Sequence, residues 1–178
     1  MMKHKQLFGL IIGALLLCSA SCKKNDTEPQ LPPVTQTGEN TFGCLVNGEV
    51  WLPQKGMMVP PYGTSNNQNL DKRWMIDCVN QYGTILLTIC QDSVLNGSST
   101  FSNEDLCSFA KFIDRSTDES LNYITDGDTF NGKVTILKFD TEEEIIAGTF
   151  WFDAVSDNGQ QIQIRDGRFD LKFTEYEP

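Results

Sequence analysis

Histidine, the side chain that most readily moves protons near neutral pH, occurs once in these 178 residues, as His4. It lies in a short basic head that reads as part of a removable export signal. Ser-His-Asp hydrolysis, Cys-His hydrolysis and histidine-ligated metal sites are therefore excluded for the processed chain. No glycine-rich phosphate loop or dinucleotide fingerprint is present, so no cofactor is expected. Carboxylates remain, and two of them suffice to hydrolyse a glycosidic bond. Asp140, Glu142, Glu143, Glu144, Asp153 and Asp170 are the candidates. Glu142 to Glu144 falls between two strand-like runs and reads as a solvated turn. Asp170 alternates outward beside Lys172. Nothing singles out a pair, so no catalytic residue is assigned and the chain is read as a non-enzyme. Asp126-Gly127-Asp128 with Asn131-Gly132 has some likeness to a calcium loop. Phe130 stands at its third ligand position, however, and Leu137 stands where a glutamate should close it. A polar turn before a strand is expected there, and no metal.

Aromatic side chains offer a binding surface. Trp51, Trp74 and Trp151 could stack on sugar rings, and Tyr62 borders a long polar loop. Trp151 lies between Phe150 and Phe152, so a strand that buries the phenylalanines turns the indole away from the core. It must then be covered by a second layer or exposed. Trp151, Trp51 and Tyr62 are the candidate ligand-binding residues, for a glycan or a protein ligand.

The elements that would position these residues are strands. Phe42 to Val46, Asn47-Gly48 and Glu49 to Leu52 give a two-residue hairpin signal. Arg73 to Val79 alternates, with Trp74, Ile76 and Cys78 on one face. Thr84 to Cys90 places Ile85, Leu87 and Ile89 together. Gln54 to Asn69, with Pro60-Pro61 and Gly63, reads as a long loop. Asn103 to Ile113 is the one segment whose spacing fits a short helix, with Asn103 as its cap, although a strand fits it equally. Lys133 to Phe139, Ile145 to Val155, Gln161 to Arg165 and Arg168 to Phe173 read as a four-stranded meander. A three-residue loop at Asp157-Asn158-Gly159 sets Ala154 against Ile162 and Phe152 against Ile164. A two-residue turn at Asp166-Gly167 would set Ile164 against Phe169 and Ile162 against Leu171. Both registers place Phe150, Phe152, Ala154, Ile162, Ile164, Phe169 and Leu171 on one face. The expected fold is all-β: an antiparallel sandwich or partly open barrel of about eight strands, with a C-terminal meander and at most one short helix.

The N-terminal segment gives an address. Met1 to Lys5 is basic, Leu7 to Leu17 is apolar and uncharged, and Cys18-Ser-Ala-Ser-Cys22 is a small-residue cleavage zone. The apolar run is shorter than the roughly 20 residues of a spanning helix. The zone resembles a bacterial lipoprotein signal, with Cys22 as the lipid-bearing first residue of the mature chain. Ser21 and Ala20 suit the peptidase, whereas Ser19 replaces the usual leucine. Residues 1–21 are thus read as signal, 22–40 as a polar proline-stiffened tether, and 41–178 as a single all-β domain. Loss of Lys3 and Lys5 leaves 12 basic against 24 acidic residues, a formal charge of −12. Such a surface repels phosphate backbones, so the expected partner is the membrane, through the lipid anchor, and not nucleic acid. Cys44, Cys78, Cys90 and Cys107 allow three disulfide pairings, which sequence alone does not separate. The apolar neighbours of Cys44, Cys78 and Cys90 favour buried free thiols.

The hairpin Phe42-Gly-Cys-Leu-Val-Asn-Gly-Glu-Val-Trp51, the segment Ile145-Ile-Ala-Gly-Thr-Phe-Trp-Phe152 and the segment Asp166-Gly-Arg-Phe-Asp170 follow a signal and a polar tether. In this organisation the chain resembles uncharacterised lipoproteins of the Bacteroidetes. The shared motifs are hairpins and core strands, so the resemblance implies fold and address and transfers no activity. Outer-membrane attachment is expected, with Lys23-Lys24-Asn25-Asp26 similar to a surface-export signal. The expected function is that of a non-catalytic binding or accessory lipoprotein. The alternatives are a structural envelope component with no small ligand, or a carboxylate-dependent glycan-active enzyme.

Overall fold

A computed structural model describes residues 29–56, 58–64, 73–102, 107–127 and 129–173, with the backbone alone for 58–64. The signal, Cys22 and the proposed cap Asn103 lie outside the described residues. Among the described residues there are eleven antiparallel strands and one short helix. They are β1 (Thr41–Val46), β2 (Glu49–Trp51), β3 (Met58–Thr64), β4 (Arg73–Asn80), β5 (Gly83–Cys90), α1 (Gln91–Leu95), β6 (Ser98–Phe101), β7 (Phe109–Asp114), β8 (Leu121–Ile124), β9 (Gly132–Asp140), β10 (Ile145–Ser156) and β11 (Gln161–Lys172). The strands run in the order β2-β1-β11-β10-β8-β7-β5-β4-β3, and the sheet curls into a half-barrel. Of the two expected architectures, the partly open barrel is the one adopted.

The first hairpin forms where the sequence placed it. Asn47 and Gly48 both have positive φ, 50° and 89°, the geometry whose twist matches the flanking strands. Along β4, Trp74, Ile76 and Cys78 are buried, and along β5 Ile85, Leu87 and Ile89 are buried, as alternation requires. These side chains meet Phe42, Cys44, Phe150, Phe152, Ile164 and Phe169 in one core inside the curl.

β10 is the organising strand. One edge pairs with β11 along nearly its whole length. The other edge pairs first with β9, through Ile145 to Phe152, and then with β8, at Val155 and Ser156. The strand therefore forks the sheet, and β9 carries β6 on its far side.

Three sequence expectations change. The loop read over Gln54 to Asn69 contains β3. Pro60 and Pro61 are accommodated because β3 ends the strand order and its register shifts between Val59 and Tyr62. Of the two readings of Asn103 to Ile113, its described C-terminal part takes the strand, β7, whose Ala110 and Phe112 alternate inward. The helix is instead α1, five residues that bury Val94 and stop at Asn96 before Gly97 with φ 83°. Asp166-Gly167 is not a turn. β11 runs straight through it, and Asp166, with φ 50°, marks a bulge. Phe152 pairs with Ile164 but Phe150 pairs with Gly167, so one extra β11 residue opposes Trp151. The Ala154–Ile162 and Phe152–Ile164 pairs hold, closed by a loop with Gly159 left-handed at φ 82°.

Part of the segment read as a tether is held against the domain. Asp170 alternates away from the core face but is not exposed: only 1 % of it is accessible. Its carboxylate accepts the N–H groups of Thr37 (3.0 Å), Gly38 (2.7 Å) and Glu39 (3.3 Å). The Asn40 side-chain oxygen accepts the Lys172 N–H, and the Arg168 guanidinium donates to the Pro32 carbonyl. Leu31 and Pro32 lie over Gly43, where a Cβ would meet them. Residues 31–40 are thus a strap bound to β1 and β11, because backbone donors find a buried anion there.

Candidate functional site

The outer face of β9, β10 and β11 carries a cleft. Alternation along β10 buries Phe150, Phe152 and Ala154 and turns Thr149, Trp151 and Asp153 outward. Cross-strand pairing then builds two rows. Trp151 faces Lys133 of β9, which faces Thr100 of β6. Thr149 faces Thr135 of β9 on one side and Arg168 of β11 on the other, and Thr135 faces Ser98. The β11 bulge completes the site. By inserting one residue it brings Arg165, Asp166 and Arg168 to the cleft within four positions, while Ile164 and Phe169 stay in the core.

These residues enclose about 490 Å³, within the range of small-ligand sites. Trp151 remains 39 % exposed, so no second layer among the described residues covers it. The Arg165 guanidinium lies 5.4 Å from the centre of the indole ring. It is itself fixed: Nη2 donates to Asp153 Oδ1 at 2.6 Å, and Nη1 donates to the carbonyls of Ile164 (2.8 Å) and Phe152 (3.1 Å). A cation held against an aromatic face contributes about 0.5–1 kcal/mol at an exposed site, enough to bias the indole toward one orientation. Arg168 is anchored through Nε to the Asp166 carbonyl at 3.0 Å. Lys133 is exposed and makes no ion pair among the described residues.

The other proposed aromatics are not here. Trp51 is 5 % exposed and packs edge-on against Phe42, so it belongs to the core. Trp74 is buried against Phe139 and Phe173. Tyr62 pairs through its backbone with Met75 on β3, at the far end of the strand order, and its side chain lies outside the described residues. A platform shared by the three tryptophans is therefore not formed, and Trp151 alone of them lines the cleft. Lys133, Thr149 and Arg168 escaped the sequence reading.

Asp140, Glu143 and Asp170, three of the carboxylates that could do acid–base work, are already engaged, the first two by the same lysine. Asp140 accepts the N–H groups of Glu142 and Glu143 and lies 3.4 Å from Lys138; the Glu143 N–H leads the contacts that hold its carboxyl below the usual range. Glu143 pairs with Lys138 at 2.6 Å on the same exposed turn. For Asp170, burial alone would raise the pKa, but the Thr35 hydroxyl and the three strap N–H groups outweigh it and the net shift is downward. Asp126 sits in a turn closed by a bridge to Phe130, and Asp128 lies outside the described residues. No group of three metal-ligating side chains occurs among the described residues.

The cysteines divide into two kinds. Cys44 and Cys78 are free and fully buried, and burial pushes both thiols up. Cys90 and Cys107 are joined in a disulfide, with Cα atoms 5.4 Å apart. Cys90 therefore departs from the expected free thiol. It ends β5 and has the Ser108 hydroxyl 3.3 Å from its sulfur, so it is not an interior strand position.

No curated protein and no solved structure matches this chain. Residues 63–170 match the model of the family described as Domain of unknown function (DUF6252). That span covers more than half of the chain and includes β4 to β10, most of β11 and the whole Trp151 cleft, so the chain belongs to the DUF6252 family.

Proposed function

We propose that this protein is a non-catalytic ligand-binding lipoprotein of the Bacteroidetes outer membrane, tethered through Cys22, which offers the Trp151 cleft to a glycan. The half-exposed Trp151, oriented by Arg165 in a cleft of small-ligand size, carries this reading. Flat aromatic faces with polar neighbours suit sugar rings, which have apolar faces and hydroxyl edges. Thr135 and Thr149 supply hydroxyl partners beside the indole. The cleft is lined by one carboxylate, Asp166, whereas glycosidic hydrolysis requires two, which favours binding over turnover. The signal organisation, the Cys22 context and the polar residues after it support the address.

Two experiments test the reading. Wild-type protein and Trp151→Ala would be screened against an immobilised glycan panel. Binding by wild type that Trp151→Ala loses is expected, and equal binding by both would reject the cleft. Metabolic palmitate labelling of wild type and Cys22→Ser tests the anchor. Label that persists in Cys22→Ser would overturn the assignment of that cysteine.

A further inference from the structure

We infer that the cleft selects an acidic saccharide, a sugar chain whose carboxylates are received by Lys133 and Arg168 while a ring lies on Trp151. This rests on the reading of the cleft as a glycan site and names the class of glycan.

The argument begins with sign. The chain holds 24 acidic against 14 basic residues, so an arbitrary patch of its surface is acidic. The cleft reverses this, with Lys133, Arg165 and Arg168 against Asp166 alone. Arg165 is already committed to Asp153 and to the indole. Lys133 has no ion pair among the described residues, and Arg168 bonds only the carbonyls of Asp166 and Pro32, so its positive charge meets no carboxylate there and is open to a ligand's. At physiological ionic strength the screening length is about 8 Å, so a bound anion senses these two cations more than the acids elsewhere on the molecule.

Placement then restricts the ligand. Lys133 lies on β9 and Arg168 on β11, the two strands that flank β10. Two interstrand spacings and a two-residue offset along β10 separate their backbones, about 12 Å. A single small carboxylate reaches one cation, whereas a chain with repeated acidic groups reaches both. Between them lie the Trp151 ring and the Thr149 hydroxyl, and Thr135, Ser98 and Thr100 continue the polar rows onto β9 and β6. Asp166 accepts hydrogen bonds from sugar hydroxyls and repels a densely charged polyanion, which separates this surface from a nucleic-acid site.

The test uses the full mature protein and a tetrasaccharide of galacturonic acid, compared with the same tetrasaccharide as its methyl ester. Calorimetry at low and physiological salt reads the affinity. The acid form is expected to bind at least about tenfold tighter than the ester, with the gap shrinking as salt rises. Lys133→Gln, at an exposed position without an ion pair among the described residues, is expected to weaken the acid form about three- to tenfold and the ester by a smaller factor. Arg168→Gln should act likewise, and Trp151→Ala should abolish both. Equal affinity for acid and ester would overturn the inference and leave the glycan reading standing. Tighter binding of a glutamate tetrapeptide than of the tetrasaccharide would overturn both the inference and the glycan reading, leaving a binding cleft for acidic peptide. No binding of any of the three probes would count against the cleft as a site altogether.

Discussion

The Gly38 N–H donates to the Asp170 carboxylate at 2.7 Å across 132 residues of chain. Thr37 and Glu39 donate to the same group, so one buried anion holds the strap against β11. Hydrogen bonds to a charged acceptor are each worth more than neutral ones, and removing a buried partner strands its donors. Asp170→Asn should therefore destabilise the domain by about 1–3 kcal/mol at neutral pH and expose residues 31–40 to protease. The sign of the pH dependence follows from the lowered pKa. The stability that the carboxylate contributes is fully present above its unfolded value, about 3.9, and is lost as pH falls through the lower folded value. Urea midpoints of wild type and Asp170→Asn should converge as pH drops from neutrality into that acid range. A gap that stays constant would show that the charge is not what holds the strap.

The first hairpin is tied to the same long strand by Asn47. Its N–H donates to the Gln163 carbonyl at 2.9 Å, and its side-chain oxygen accepts the Gln163 N–H at 2.9 Å. Its φ of 50° is costly for most residues but tolerated by asparagine and glycine. Asn47→Ala should cost about 2 kcal/mol, the sum of a left-handed penalty and one net hydrogen bond. Asn47→Gly should recover roughly half, because it restores the backbone geometry without the side-chain bond. Equal losses in chemical denaturation would place the whole effect in the hydrogen bond.

Much of this fold was legible because period-two alternation survives translation into three dimensions. Trp74-Ile76-Cys78 and Ile85-Leu87-Ile89 are buried on the faces that alternation assigned. The instructive error is Asp166-Gly167. A two-residue turn and a one-residue bulge both reverse parity between Ile164 and Phe169, so the core face came out right on the wrong topology. Asp170 was misread for a related reason. It points away from the core face, but that outer face is covered by the strap, and no local pattern announces a contact 132 residues distant. Within the site, Trp151 could be placed outward from its phenylalanine neighbours alone. Its partner Lys133 could not, because β9 and β10 shift register between Ala147 and Gly148, with Leu137 left over. Helix α1 has five residues, too few for a 3.6-residue period to show.

The disulfide closes a sequence separation of 17 residues around α1 and β6. Loop-closure entropy for a ring of that size is worth about 3 kcal/mol. Reduction, or the double change Cys90→Ser with Cys107→Ser, should therefore lower stability by about 2–3 kcal/mol in urea titrations. Cys44 and Cys78 should behave oppositely. Both are fully buried with raised pKa, so neither presents a thiolate to a reagent in the native state. Thiol titration should leave these two unmodified in the folded domain and detect both once urea is added. Native-state labelling of either would contradict their burial.

Gly167 tests the bulge that builds the cleft. It pairs with Phe150, and a Cβ there would approach the Phe150 ring at 2.6 Å and the Phe150 carbonyl oxygen at 2.6 Å. The ring can rotate a little within the core, but the carbonyl belongs to the central strand and cannot move without shifting its ladder. Gly167→Ala should thus cost about 1–3 kcal/mol, the usual range for forcing an extra carbon into a packed site. Relief requires β11 to slip relative to β10, which would displace Arg165 from the Trp151 ring that it meets at 5.4 Å. Loss of stability should therefore be accompanied by a changed emission of the half-exposed indole, read against a Trp151→Phe background. A destabilised variant with unchanged Trp151 emission would show that the bulge yields at Phe150 alone and leaves the cleft intact.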